Sequence, residues 1–126
     1  MALWEFKIKA DKQEIPAVVE SIKAKLARVR AFNREAIIAV SVEMLSNIAE
    51  YAYSGEGYII IELIKAKDKV TITFKDSGRP FNPGDVHNTE QKDGRGLGII
   101  IARNMTDRYD YTYCDGMNIS VFEKNI

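Results

Sequence analysis

The stretch KVTITFKD (69–76) places Val70, Ile72 and Phe74 on one face and Thr71, Thr73 and Lys75 on the other. A period of two fits a strand with one face in a core and one in water. The apolar row runs on to Asp76, so a carboxylate continues the core-facing line at the strand's end. Such a strand needs neighbours in a sheet and a layer of helices over its apolar face.

The rest of the chain supplies both. Residues 3–9 alternate as Trp4, Phe6 and Ile8 against Glu5, Lys7 and Lys9, a half-exposed strand. Ile15, Val18, Val19, Ile22, Leu26 and Val29 then recur at helical spacing, with either an Asp11/Glu14 capping box or Pro16 at a first helical position marking the start. A second helix is expected from an Asn33 cap, with Phe32 and Ile37 as a hydrophobic staple. Its apolar stripe would be Ile38, Val42, Leu45, Ala49 and Ala52, and Gly55 and Gly57 would stop it. YIIIELI (58–64) and 69–76 form a hairpin across KAKD, and a polar loop with Pro80, Pro83 and Gly84 follows. A third helix starts near Gly98, and RYDYTY (108–113) pairs with NISVFEK (118–124) across an Asp115-Gly116 turn. The order predicts an α+β protein: a two-layer sandwich with a mixed, mostly antiparallel sheet packed against about three helices.

At 126 residues the chain reads as a single domain, 1–126, with 46% hydrophobic and 29% charged residues. Lys+Arg and Asp+Glu balance at 18 each, so charge gives no reason to expect nucleic acid or an anionic membrane as partner. In KAKLARVR (23–30) the cations interleave with Leu26 and Val29 as on a solvated helix face. Cys114 is the one cysteine, which excludes an internal disulfide framework and a cysteine-based zinc site. The start, MALWEFKIKA, lacks the apolar region of a signal peptide, and no run reaches membrane-spanning length. The expected compartment is a reducing cytoplasm.

Three polar clusters lie where packing alone does not call for them. Glu43, Asn47 and Tyr51 follow one another at i, i+4 and i+8 along one side of the second helix. Asn47 offers an amide oxygen to a hard cation such as Mg²⁺, and Glu43 could accept a proton; an ordinary solvated helix edge would look the same. Asp76-Ser77-Gly78 ends the core-facing row with a group suited to accept hydrogen bonds from a ligand's amino group, or to cap a turn. DGRGLG (93–98) opens a helix with three glycines, leaving bare amides for phosphate oxygens or a flexible entry. It is neither a Walker A loop nor a Rossmann fingerprint.

In sequence order, VEMLSNIAEYAY, DSGRPFNP, GRGLGI and DGMNISVFEK resemble the N, G1, G2 and G3 boxes of the GHKL ATPases, which share the Bergerat or histidine-kinase-like ATPase fold. The similarity covers roughly residues 3–124 and is greatest to the small anti-sigma-factor serine/threonine kinases of bacterial partner-switching systems. The resemblance implies that Glu43 is the general base or orients a substrate seryl hydroxyl, and that Asn47 ligates the Mg²⁺ of bound ATP. It implies that Asp76 accepts the adenine amino group and that Gly78 gives the ring room. Gly94, Arg95, Gly96, Leu97 and Gly98 would hold phosphates, with residues 79–93 as the ATP lid. The implied partners are a sigma factor and an anti-anti-sigma antagonist, and members of this family often pair as homodimers. Two positions depart from the pattern: Tyr51 stands where these kinases usually have His, and Met117 where the G3 box usually has Thr. His87 and Cys114 match nothing in the pattern.

Two readings therefore stand side by side: an ATP:protein serine kinase, and a nucleotide-gated or non-catalytic module that acts by docking partners. A third, the catalytic domain of a histidine kinase, is disfavoured because the only histidine, His87, falls in the lid loop and no phosphoacceptor helix pair is seen.

Overall fold

Alternation and register decide the sheet. The computed structural model describes residues 1–83 and 97–126. β1 (Ala2–Lys9), β2 (Tyr58–Lys65), β3 (Lys69–Asp76), β4 (Arg108–Cys114) and β5 (Met117–Asn125) form one sheet in the order β1-β2-β3-β5-β4. Every neighbouring pair is antiparallel, so the sheet is not mixed. The polar loop and a helix intervene between β3 and β5, yet β5 returns beside β3 and leaves β4 at the edge. The final hairpin turns at Asp115 (φ 53°) and Gly116 (φ 76°), consecutive left-handed residues that suit the twist of a two-residue connection.

Three helices cover one face: α1 (Ile15–Lys25), α2 (Ala31–Asn47) and α3 (Leu97–Asn104). Of the two start signals before α1, the Pro16 one holds. The Asp11/Glu14 capping box does not form, because the Asp11 amide donates to the Lys9 carbonyl and not to Glu14. Asp11 accepts from the Gln13 amide at 3.0 Å and caps a short 3₁₀ turn, and Pro16 then sits in the first turn of α1. The core joins Ile22, Leu26, Ile37 and Leu45 of the helical layer to Ile61, Leu63, Ile72 and Phe74 of the sheet. Phe74 and Phe122 meet edge to face with ring centroids 6.1 Å apart.

α2 differs from expectation in three ways. It begins two residues before Asn33, with Arg30 in extended conformation at the cap position and no side chain bonding the first turn. No staple forms, because Phe32 is 74% exposed and has the Lys124 ammonium over its ring. The buried arc is Ala36, Ile37, Val40, Ser41, Met44 and Leu45, whereas Val42 is open to solvent. The physical reason is position. α2 contacts α1 and α3 as well as the sheet, so it needs a wide arc rather than the narrow stripe of a helix packed on one side. Ser41 is tolerated there because its hydroxyl donates to the Ile37 carbonyl at 2.7 Å.

Beyond Asn47 the chain keeps coiling as a π-wound turn, Ile48–Ala52, and ends at Tyr53 in extended conformation, short of the two glycines expected to stop it. Among the described residues no helix is long and apolar enough to cross a membrane.

Candidate functional site

Asp76 ends β3 at 5% exposure, in the row of Val70, Ile72 and Phe74, as the alternation requires. Its Oδ1 accepts two hydrogen bonds, from the Gly78 amide and from Asn118 Nδ2, each at 3.0 Å. Among the described residues nothing donates to Oδ2. A buried carboxylate oxygen without a donor is costly, and it is the feature a ligand's N–H would complete. Burial raises the Asp76 carboxyl above its ordinary 3.8, against the lowering effect of the bonds from Asn118 and Gly78.

Asn118 is the residue that sequence reasoning missed. The register sets it opposite Asp76 on β5, so Asn118 rather than Met117 is the cross-strand partner of the carboxylate. It is 3% exposed and fully engaged. Nδ2 reaches Asp76 and the Arg79 carbonyl (2.9 Å), and lies 3.4 Å from the Gly78 carbonyl; Oδ1 accepts from the Phe81 amide at 3.0 Å and from the Tyr111 hydroxyl. Counting back by twos from the apolar Phe122 through Ser120 would have found it.

The loop after Asp76 is fastened to the π-wound turn. The Arg79 amide donates to the Ala52 carbonyl at 2.9 Å, and its guanidinium donates to the Tyr51 carbonyl. The Ser77 amide donates to the Tyr53 hydroxyl at 2.8 Å. A Cβ on Gly78 would overlap the Ala52 carbonyl and methyl, so this glycine is required by backbone packing, not by room for a ligand alone.

Glu43 and Asn47 lie one turn apart on α2, both half-buried. Asn47 Nδ2 donates to the Glu43 carbonyl at 2.7 Å, leaving Oδ1 as its group for a ligand. A Cβ on Gly98 would overlap the Glu43 carboxylate, which therefore rests on the first turn of α3. The structure thus brings Glu43 and Gly98 into contact, and the negative charge lies near the positive end of that helix. Gly94, Arg95, Gly96, the Leu97 side chain, His87 and residues 84–93 of the expected lid lie outside the described residues.

A sheet covered by α2 and α3, a buried acid at the end of its central strand, and a glycine at the start of α3 define the architecture to be compared. The sequence matches the family described as Histidine kinase-like ATPase domain over residues 8–122. The chain belongs to this family. The Mycobacterial sensor histidine kinase MprB has a similar structure, with a TM-score of 0.55 and 14% identity over 97% of this chain and 97% of that one. Acinetobacter baumannii histidine kinase AdeS matches with a TM-score of 0.54 and 13% identity over 99% of this chain and 68% of that one. At such identities the likeness is one of fold. No curated protein matches the sequence.

In this histidine kinase-like ATPase domain Asp76 Oδ2, without a donor among the described residues, could accept a ligand's N–H. For a divalent cation, the described residues hold no cluster of three His, Cys, Asp or Glu. An ion would take Asn47 Oδ1 from the protein and complete its shell with phosphate and water, the usual habit of Mg²⁺.

Two outcomes follow. The folded protein retains the Asp76 proton above 3.8, where the unfolded chain has lost it. Asp76 therefore costs stability increasingly as pH rises from the unfolded value through the folded one. In thermal melts from acid to neutral pH, Asp76→Asn gains on the parent across that window; parallel curves would contradict the burial effect. Separately, Gly98→Ala loses about 1–3 kcal/mol in urea unfolding by crowding the Glu43 carboxylate. Adding Glu43→Ala recovers most of the loss, and strict additivity would show that the two positions do not touch.

Proposed function

We propose that this domain binds Mg²⁺-ATP and acts as an anti-sigma-factor-type serine/threonine protein kinase, binding a sigma factor and phosphorylating an anti-anti-sigma antagonist. The observation that carries nucleotide binding is the buried Asp76, one of whose carboxylate oxygens has no donor among the described residues. The finer reading rests on the resemblance of VEMLSNIAEYAY, DSGRPFNP, GRGLGI and DGMNISVFEK to the four boxes of those kinases.

In this reading Asp76 accepts the exocyclic amino group of adenine, with Asn118 holding the other carboxylate oxygen in place. Gly78 and Gly98 let the chain close around the site, and Gly94, Arg95, Gly96 and Leu97 belong to the phosphate-binding entry of α3. Asn47 presents its amide oxygen to Mg²⁺. Bound Mg²⁺-ATP supplies the phosphoryl group. Glu43 orients the seryl hydroxyl and takes its proton. Phosphoryl transfer asks little covalent chemistry of a protein beyond positioning and charge stabilisation, which these groups provide. Tyr51, where related kinases carry His, anchors the Arg79 guanidinium through its main-chain carbonyl, a role open to any residue. A cytoplasmic setting agrees with such partners.

The second reading, a docking module that gates on nucleotide without turnover, is separated by experiment. Mg²⁺-ATP at about a hundred times its Kd should stabilise the protein by about 2.7 kcal/mol, read as a raised melting temperature. Asn47→Ala abolishes the Mg²⁺-dependent part of the shift, and a parent protein that does not shift would remove the nucleotide assignment. With labelled ATP and a serine-bearing antagonist, the parent transfers label and Glu43→Ala binds nucleotide without transferring it. Binding without transfer by the parent would establish the docking module instead.

A further inference from the structure

Equal totals of acid and base conceal an uneven placement. The end of the sheet away from Asp76 sets Ala2 opposite Lys65, Lys69 opposite Asn125 and Val70 opposite Lys124. α1 descends to this end and α2 rises from it. The Lys25 ammonium lies 5.7 Å from the centre of the Trp4 ring on β1, and Lys124 on β5 lies 5.5 Å from that of Phe32 on α2. The connection 26–30 therefore crosses above the ends of β2 and β3, where their turn lies. Residues 23–35 hold five cations and one acid, and KAKDK (65–69) holds three and one.

Local contacts aim these cations outward. Leu26 and Val29 are buried, and the Arg34 guanidinium donates to the Ala27 and Val29 carbonyls at 3.3 and 2.8 Å. Arg28 and Arg30 are left exposed on this pinned connection, as is Lys67 on the hairpin turn. Lys69 and Arg108 pair with Glu123, and Lys124 with Asp107. Among the described residues no acid pairs with Lys23, Arg28, Arg30, Lys65 or Lys67. Lys23 and Lys25 suit the negative end of α1. Arg28 and Arg30 stand instead beside the positive end of α2, whose cap position is Arg30 and whose first turn has no acid. Fold stability alone would favour acids there. Apolar exposure falls at the same end. After Met1, Phe32 at 74% and Leu3 at 63% are the most exposed large apolar side chains described.

We propose that this end of the domain docks on an anionic bilayer surface, with Arg28, Arg30 and Lys67 among the lipid headgroups and Phe32 entering the interface. Charge complementarity calls for an anionic partner, and the exposed apolar side chains select a bilayer. A nucleic acid would stack a base on Phe32 but has no use for Leu3 on the flank. Cations set beside apolar side chains are the two-part signal that attachment to an anionic membrane surface needs. Asp76 stands at the other end of β3, about 23 Å from Lys69, so the candidate nucleotide site faces away from the bilayer. The inference does not depend on the nucleotide reading.

Co-sedimentation of the nucleotide-free protein with vesicles tests it, using phosphatidylcholine alone and an equal mixture with phosphatidylglycerol. The parent binds the mixed vesicles, ignores the neutral ones, and is released by about 1 M salt. Arg28→Glu combined with Arg30→Glu weakens binding by about tenfold or more, and Lys67→Glu by about fivefold. Phe32→Ala weakens it roughly tenfold with the charges intact. The double reversal puts acids beside the positive end of α2, so circular dichroism stays unchanged. If that variant fails to fold, Lys67→Glu and Phe32→Ala decide alone. Equal binding to both vesicle types, or binding that survives the reversals or the loss of Phe32, would overturn the proposal. So would a parent that leaves mixed vesicles unbound; its retention on duplex DNA or on polyglutamate would then assign the surface to nucleic acid or to an acidic protein segment.

Discussion

The hydrogen bond between Asn118 and Asp76 holds together more of this molecule than any other polar contact described. A carboxylate at 5% exposure costs free energy unless its oxygens are paired, and the described residues pair only one of them. The amide that does so also ties the Gly78–Phe81 backbone and the Tyr111 hydroxyl to the same point. The end of β3, the start of the following loop and the edge strand β4 thus share one small side chain. A network of this kind is rigid when complete, so the unpaired oxygen is held in a fixed direction rather than free to find a local partner.

The second half of the site is joined to the first by backbone contacts. Glu43 and Asn47 sit on α2, and the π-wound turn that continues it touches the loop through Ala52 and Tyr51. π-wound turns are uncommon and often fall at functional sites, where they re-aim the residues beside them. Here the turn ends the helical run. Arg79 takes up two of its last main-chain carbonyls, Tyr51 and Ala52, which have no partner within the helix. The carboxylate of Asp76 and the amide of Asn47 are therefore placed by a continuous path of short contacts.

Much of this was legible in the chain, for reasons that differ by element. Period-two alternation gave β1 and β3 and carried Asp76 onto the buried row, because a strand has two faces and no intermediate choice. β2 was read from an apolar run across a short turn from β3. The Asp115-Gly116 turn was readable from its demand for positive φ. The buried face of α2 was not, because α1 and α3 flank it and a three-sided environment erases the single stripe that helical periodicity reports. Asn118 was passed over because the motif was aligned by neighbouring letters, whereas parity along β5 pointed to it. The sequence IAEYA carries nothing that separates a π-wound turn from an α-helical one, and Arg30 gives no polar cap signal.

Gly78 and Gly98 are each filled by the protein itself, one by Ala52 and the other by the Glu43 carboxylate. Selection for folding would then preserve both glycines in a descendant that had abandoned nucleotide altogether. A survey of relatives that tallied glycines would score such a relic as intact. The informative column is Asp76: once the ligand is gone, nothing rewards keeping a half-satisfied acid in the core, and that position should be the first to drift toward an apolar or amide side chain.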